Sequence, residues 1–335
     1  MFRVYFAALF AALVALPAGA DPFRLIVTDL ETPLVPNSVM DLALAGGYFE
    51  AAGVEVELVR VQQTPSALAA LQAGEGEMAN ISTDALLQMV ARGASDLRAV
   101  ASPNKSLPFL IAAKPEIADV ADLAGKSFGV GRVGSLDHSL SMKVLAASGL
   151  DVSTLEIVNL GQPNVRAQAL LAGQVDATTM SIGTLTSLPE GAAVSVLIDA
   201  DAYYAAAPVV TKVNIVTTEV LQTRGAEVEA VLTALLRASR DFAADPEVWA
   251  EAMSKARPDI DRATLSALAK SYAQSWSVNG GMSQDELSYT AEWLWQGEDF
   301  KDLSPVPLAA WVDFAPLDAV LGREGASDLM DPVSR

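Results

Sequence analysis

The sequence predicts an α/β protein built from two similar lobes, and three observations support that prediction. Strand-like and helix-like runs alternate from residue 23 to residue 217, the pattern of an α/β sheet. The segment at residues 67–79 (ALAALQAGEGEMA) recurs in altered form at residues 168–178 (QALLAGQVDAT). Each copy follows a glycine, a strand-like run and a Gln–Pro turn, and in each a glycine ends the helix before an acidic residue. Two related lobes that face each other imply a cleft between them.

In the first lobe, the alternation of apolar and polar residues predicts two strands and two helices. Ser82 or Thr83 is the predicted cap of the second helix, and Gly93 is its predicted stop. The apolar run at residues 107–113 is where we expect the chain to cross into the second lobe. The predicted elements are strands at residues 23–28 and 54–61, a helix that begins at residue 39 and a helix at residues 84–92.

The second lobe is predicted at residues 108–208, followed by a return crossing at residues 209–217. Residues 21–107 would form the first part of lobe 1, and residues 209–335 its completion together with C-terminal helices. All five tryptophans lie in this last third, where we expect them to fill gaps between helices; a carbohydrate or aromatic site is the alternative. The predicted elements are a strand at residues 127–130 and helices at residues 136–148, 228–242, 247–255, 262–276 and 283–294.

The first 20 residues have the pattern of a cleavable secretory signal peptide. Arg3 supplies the positive start, residues 4–16 are apolar, and Ala18-Gly19-Ala20 forms a cleavage site before Asp21. The apolar run is too short to span a bilayer as a helix. We therefore predict export with cleavage after Ala20, with an uncleaved anchor as the alternative.

The composition excludes several classes of function. With 41 acidic and 22 basic residues the net charge is −19, which repels nucleic acid and anionic membranes. The absence of cysteine excludes disulfides and thiol nucleophiles, and one histidine supplies a zinc site poorly. We expect no metal, no cofactor and no nucleic-acid partner.

Candidate ligand-binding residues follow from the rule that ligands of open α/β sheets meet the carboxyl ends of the strands. The strand–helix junctions of this chain carry mainly neutral hydroxyl and amide side chains. Several of these open helices, where free N–H groups favour an anion or a polar atom, although helix capping is the alternative for each. The candidates are Thr28, Asn37, Gln63, Asn80, Ser82, Thr83 and Asn104 on one side, Ser135, His138, Thr179 and Ser181 on the other, and Tyr203 as an aromatic cover.

Motifs of enzymes match this chain poorly. Residues 129–134 (GVGRVG) fit a dinucleotide fingerprint between a strand and a helix, but no acidic residue is well placed about 20 positions later. We prefer a tight turn that presents Ser135. No G-x-S-x-G elbow exists. Glu77 and Asp176 occupy equivalent places in the repeat, so we predict a shared role in a turn or at strand entry. His138 is the best acid–base group for the alternative of an exported enzyme.

Several segments together resemble a known family. Residues 47–56 (GYFEAAGVEV), 71–77 (LQAGEGE), 122–126 (DLAGK) and 169–177 (ALLAGQVDA) are similar to the substrate-binding proteins of ABC importers, in the NMT1/THI5-like group. The resemblance implies a type II periplasmic binding fold, with two βα lobes joined by two crossover segments around a ligand cleft. It also implies a periplasmic, monomeric receptor without enzyme activity. Its partners would be a small organic ligand (sulfonate, carboxylate or pyrimidine-like) and an ABC permease in the inner membrane.

The chain departs from the family pattern in two ways. A pyrimidine synthase in the family depends on a cysteine-rich motif, which this chain lacks. In addition, we find no arginine at a junction that matches sulfonate or nitrate binding. Arg132 and Lys212 are the nearest cations, with solvation as the alternative for both, and this disfavours a small inorganic anion. A receptor that signals to a membrane sensor remains an alternative to transport.

Overall fold

The computed structural model describes residues 21–103, 109–133, 136–189, 191–329 and 331–333. The predicted signal peptide and the candidates Asn104 and Ser135 lie outside these described residues. Within the described ranges, no helix is long and apolar enough to cross a membrane.

Ten strands form two five-stranded sheets, with the orders β2-β1-β3-β10-β4 and β7-β6-β8-β5-β9. In each sheet one strand runs antiparallel to its neighbours: β10 in the first and β5 in the second. The predicted α/β class with two lobes is confirmed. The strands are β1 (Phe23–Val27), β2 (Val56–Arg60), β3 (Met78–Ser82), β4 (Leu97–Ala101), β5 (Phe109–Ala113), β6 (Ser127–Val130), β7 (Glu156–Asn159), β8 (Ala177–Ser181), β9 (Ser195–Ile198) and β10 (Lys212–Thr217).

Helices connect the strands and form most of the C-terminal third. A single large hydrophobic core surrounds the first sheet and includes the C-terminal helices, whereas the second sheet has a smaller core on each face. The helices are α1 (Val39–Ala45), α2 (Tyr48–Ala51), α3 (Thr64–Gln72), α4 (Thr83–Ala91), α5 (Leu136–Ala147), α6 (Pro163–Leu171), α7 (Ile182–Thr186), α8 (Ala200–Ala206), α9 (Thr218–Thr223), α10 (Gly225–Ala244), α11 (Pro246–Ala256), α12 (Arg262–Ser271), α13 (Gln284–Leu294) and α14 (Ala315–Glu324).

The sequence repeat builds the same entry into β3 and β8. Gly74 and Gly173 follow α3 and α6 with φ of 73° and 72°, a left-handed conformation that suits glycine and ends the helix. Glu77 then accepts a 2.6 Å hydrogen bond from the N–H of Arg24, beside the start of β1. Asp176 accepts a 2.9 Å bond from the N–H of Ser127, at the start of β6. The structure confirms the predicted strand-entry role of both acids.

Three of the five tryptophans are packing residues. Trp249, Trp276 and Trp311 are all buried, as expected for rings that fill gaps between helices. The indole N–H of Trp249 donates a 2.9 Å hydrogen bond to the hydroxyl of Ser38, so α11 is tied to the start of α1. The predicted helix at residues 262–276 ends earlier, at Ser271, because the chain turns before Trp276.

Candidate functional site

The carboxyl end of β8, in the second sheet, lies against the first lobe. Ile182, which begins α7 after β8, packs against the core of the first lobe. A side chain at Gly183 would begin 3.4 Å from the carbonyl oxygen of Leu34 and 3.6 Å from the hydroxyl of Tyr272. That hydroxyl itself donates a 2.7 Å hydrogen bond to the Leu34 carbonyl. The start of α7, at the carboxyl end of β8, therefore lies against the first lobe.

On the first lobe, the centre of the carboxyl edge is occupied by Lys212. It is the first residue of β10 and pairs with Ser82, the last residue of β3. Its ammonium donates a 2.8 Å hydrogen bond to the hydroxyl of Thr28, just after β1. Burial lowers the pKa of Lys212, and the nearby carboxylate of Asp29 partly opposes this. The alternative of a fully solvated Lys212 is therefore wrong: it is a half-buried cation beside the ends of β1 and β3.

The start of α4 adjoins Lys212 and is incompletely capped. Ser82 is the N-cap residue, but its hydroxyl makes no capping hydrogen bond. The N–H of Thr83 bonds to the Thr211 carbonyl at 3.0 Å. The hydroxyl of Thr83 is buried and has no hydrogen-bond partner among the described residues. This helix start therefore offers a polar ligand both backbone and side-chain groups.

The other candidates of the first lobe do not gather at one point. Asn80 lies inside β3, fully buried, and its amide donates a 2.8 Å hydrogen bond to Asn214 on β10. Asn37 is buried and donates to the carboxylate of Asp29, while its own carbonyl oxygen has no partner among the described residues. Gln63 is exposed at the start of α3. These three residues surround the Lys212 region rather than converge on it.

On the second lobe, the strand ends carry a buried arginine that the sequence analysis missed. Arg166, in the first turns of α6, is only 4% exposed and donates to the carbonyls of Gly161 at 2.7 Å and Thr179 at 3.1 Å. Its guanidinium lies 3.4 Å from the carboxylate of Asp137. Burial lowers the pKa of Arg166, and Asp137 opposes this. The signal available in the sequence was the position of Arg166 three residues after Pro163, which opens a helix at a junction.

The glycine-rich turn of the second lobe is filled by the protein's own side chains. The N–H of Gly131 donates a 2.8 Å hydrogen bond to the carboxylate of Asp137, and the N–H of Val133 donates one of the same length to Asn159. A carboxylate already bonded to the turn competes with a phosphate at that place. The geometry therefore agrees with the preference for a structural turn over a dinucleotide site.

Two candidates of the second lobe, Thr179 and Tyr203, lie in a cluster of hydroxyl and aromatic groups. Thr179 lies in the middle of β8, and its hydroxyl is 2.6 Å from that of Ser141. Tyr203 is buried beside these two groups, and burial raises the pKa of its phenol. Its ring meets Phe109 edge to face, with ring centroids 5.9 Å apart. Tyr203 itself lies in α8.

Two further candidates lie at helix starts. Ser181 caps α7, since its hydroxyl accepts a 3.1 Å hydrogen bond from the N–H of Thr184. His138 is half-buried in the first turn of α5. Within the described ranges, no group of three or more histidine and acidic side chains is placed to hold a metal ion.

Comparison with solved structures shows the fold. The chain is similar to the periplasmic aliphatic sulphonate binding protein SsuA from Escherichia coli, with a TM-score of 0.67 at 16% identity over 88% of this chain and 92% of that chain. A putative sulfonate-binding SsuA from Methylobacillus flagellatus KT gives a TM-score of 0.70 at 14% identity over 93% and 97%. The desulfurization enzyme DSZB gives 0.64 at 17% identity over 90% and 99%. The predicted periplasmic binding protein fold is confirmed, and an enzyme shares it.

Comparison at the level of sequence identifies the family. A search of curated proteins finds no match. The family profile described as NMT1/THI5 like matches residues 39–249. This range contains every strand of the two sheets except β1. The chain therefore belongs to the NMT1/THI5-like family.

Proposed function

We propose that this protein is a periplasmic receptor that captures a small organic ligand between its two lobes and delivers it to an ABC permease. The observation that carries the proposal is the contact of α7, at the carboxyl end of β8, with the first lobe near Leu34 and Tyr272. Ligands of α/β sheets bind at the carboxyl ends of the strands. Membership of the NMT1/THI5-like family and the likeness to two sulfonate-binding proteins support the same function.

Closure of the cleft would rely on the two crossings between the lobes. We propose that one lies between β4 and β5 and the other between α8 and β10, with the boundaries that the sequence predicts after residues 107 and 208. Hinge closure is stabilised when one ligand contacts both lobes. We propose Thr28, Ser82 and Thr83 as the first lobe's contacts, with Thr179 and Ser181 opposite.

The main competing function is catalysis on the same fold. The structural relative DSZB is a desulfurization enzyme, and one of its structures is a cysteine-to-serine mutant bound to biphenyl-2-sulfinic acid. This chain has no cysteine, so a mechanism that depends on a thiol cannot be transferred to it. Turnover of a bound compound that His138→Gln abolishes would establish the enzyme instead.

A thermal unfolding screen tests ligand capture directly. Sulfonates, carboxylates, pyrimidines and amino-acid-like compounds are added in turn, and a compound that binds only the native state raises the melting temperature. At a concentration of about 100 times Kd the gain is about 2.7 kcal/mol, which such a screen resolves easily. If no compound of a broad metabolite set changes the melting temperature, the receptor function is wrong.

The site is tested with the ligand that the screen finds. The double variant Ser82→Ala with Ser135→Ala should weaken calorimetric affinity with little loss of fold stability. Ser95→Ala is the matched control, since Ser95 is exposed in the loop before β4. Unchanged affinity in the double variant would refute the site. Loss of uptake of the labelled ligand after deletion of the gene would support transport, and intact uptake would favour sensing.

A further inference from the structure

We propose that α13 is a latch between the two lobes, which favours the arrangement in which α7 lies against the first lobe. We call this the closed arrangement, and any arrangement in which α7 leaves the first lobe an open one. The inference rests on the hinge closure that accompanies the proposed receptor function. It identifies the contacts that set the balance between open and closed molecules before any ligand binds.

The helix α13 is anchored in the first lobe. Leu287 is fully buried and Leu294 nearly so, and both belong to the core around the first sheet. The hydroxyl of Ser283, the residue that caps α13, accepts a hydrogen bond from the N–H of Glu286. The helix therefore moves with the first lobe if the lobes rotate.

The same segment contacts both of the proposed crossings. Ser102, just after β4, donates its backbone N–H to the carbonyl of Gly280 at 2.8 Å, in the turn before α13. Val210, just before β10, donates its N–H to the hydroxyl of Thr290 at 2.8 Å. Since Thr290 is fully buried, this bond is shielded from water. The segment that contains α13 thus lies beside the hinge.

From this position α13 also reaches the second lobe. The hydroxyl of Tyr204, on α8, donates a 3.0 Å hydrogen bond to the carboxylate of Glu286. The ammonium of Lys143, on α5, lies 5.2 Å from the centre of the Tyr289 ring. Tyr289 and Trp293 also pack against the core in which α5 and α8 lie. One helix of the first lobe therefore carries polar and aromatic contacts to two helices of the second.

The bond between Tyr204 and Glu286 is the directional contact of the latch. Burial raises the pKa of the Tyr204 phenol, and the charge of Glu286 adds to the rise, so the phenol stays protonated and donates. A charged acceptor makes this bond stronger than one between neutral groups. Beyond about 3.6 Å such a contact is no longer a hydrogen bond. The bond therefore favours the closed arrangement over any in which α8 has moved away from α13.

A second phenol at the same interface opposes the latch. The hydroxyl of Tyr289 is buried and has no hydrogen-bond partner among the described residues. A buried hydroxyl without a partner is unfavourable, and separation of the lobes would let water reach it. One phenol thus favours the closed arrangement and the other disfavours it. Two arrangements that differ little in free energy are readily shifted by a ligand.

Loss of the latch should open the molecule rather than close it further. Ile182 already packs against the core of the first lobe, and Gly183 lies close to the Leu34 carbonyl. These contacts limit rotation in the closing direction. The arrangements that gain population when the latch is lost are therefore the open ones.

Two spin labels measure the balance in the ligand-free protein. Because the chain has no cysteine, Leu30→Cys and Val165→Cys would place labels at these two positions alone. Leu30 is 59% exposed shortly after β1, and Val165 is 47% exposed in the first turn of α6. The distance between the labels, measured by double electron–electron resonance, reports how far apart the two lobes lie.

Removal of each latch contact should increase the long-distance population. Tyr204→Phe should raise the ratio of open to closed molecules about tenfold, because it removes a hydrogen bond to a charged group. Lys143→Met should raise it about twofold to fivefold. Tyr48→Phe is the matched control, since it removes a 2.7 Å bond between a phenol and the carboxylate of Asp241 within the first lobe. Thermal unfolding verifies that each variant is folded.

The opposing phenol is tested in the opened variant. Tyr289→Phe added to Tyr204→Phe keeps the ring under Lys143 but removes the unpaired hydroxyl, so most of the short-distance population should return. Unchanged distances in Tyr204→Phe, an equal change in Tyr48→Phe, or no return in the double variant would refute the latch. None of these outcomes refutes the receptor function, which the thermal screen tests separately. A protein that opens in Tyr204→Phe but binds no compound would retain the latch and lose the receptor function.

Discussion

At the amino ends of their central strands, the two lobes use the same device. In each lobe, a glycine with positive φ ends the helix. The acidic side chain that follows accepts a hydrogen bond from a backbone N–H beside the neighbouring strand and pairs with a nearby cation. At the carboxyl ends they differ. The first lobe has Lys212 beside an uncapped helix, whereas the second has Arg166 paired with Asp137 and a capped helix.

The contrast separates scaffold from site within a single repeat. The backbone N–H groups beside the start of a central strand need hydrogen-bond partners in both lobes, because a buried N–H without a partner is costly. The carboxyl edges carry no such common requirement, so they are free to differ. What the repeat preserves is therefore structural, and the ends where the two lobes differ are where we propose that the ligand binds.

The largest expected effect is at the amino end of the first lobe. Glu77→Gln removes a carboxylate that bonds to Arg24 at 2.6 Å and lies 3.3 Å from Arg224. Burial raises the pKa of Glu77, but the hydrogen bonds from Arg24 outweigh this and lower it. Since the backbone N–H and the guanidinium of Arg24 both lose a charged acceptor, while Arg224 keeps Glu227, we expect a loss of about 2–3 kcal/mol in urea unfolding. Ligand affinity should not change; a change would show that the two ends of the sheet are coupled.

The equivalent change in the second lobe should cost less. Asp176→Asn weakens the 2.7 Å ion pair with Lys114 and the bonds from Ser127, and we expect a loss of about 1–2 kcal/mol because this site is more exposed. The hydrogen bond from Lys114 lowers the pKa of Asp176 to about 2. The stabilisation is therefore present above the unfolded pKa of about 3.9 and is lost as pH falls through about 2. The difference between variant and wild type should shrink in urea titrations at pH 2; a constant difference would contradict this origin.

The scaffold of both lobes could be predicted from the sequence because its sequence pattern occurs twice. Hydrophobic alternation and the two glycine–acid segments predict the sheets, and the equivalence of Glu77 and Asp176 predicts their common role. The site was harder, because the same residue types cap helices or bind ligands according to distances that the sequence does not contain. Ser82 and Ser181 look alike in sequence, yet only Ser181 is bonded to its own helix. Arg166 was overlooked because its partner, Asp137, is 29 residues away in the chain.

Lys212 offers a test of how much a buried charge costs the ligand-free protein. Lys212→Met removes a charge that burial disfavours, so the ligand-free protein should gain about 1 kcal/mol in urea unfolding. Because the pKa of Lys212 is lowered in the folded state, the stability of the wild type should rise with pH between that value and the unfolded pKa of about 10.4. The variant should lack this rise. A loss of stability in Lys212→Met would mean that the bond to Thr28 outweighs burial.

The smallest effect distinguishes the two serines at matched strand ends. Ser181→Ala removes the bond to the Thr184 N–H and should cost about 0.5–1 kcal/mol, the usual loss on removing an N-cap. Ser82→Ala removes no capping bond, so its unfolding free energy should stay within about 0.5 kcal/mol of the wild type. The pair is measured by urea unfolding without ligand and then by calorimetry with it. Equal destabilisation by both substitutions would contradict this difference between the lobes. It would mean that the Ser82 hydroxyl caps α4 in solution and is therefore less available to a ligand.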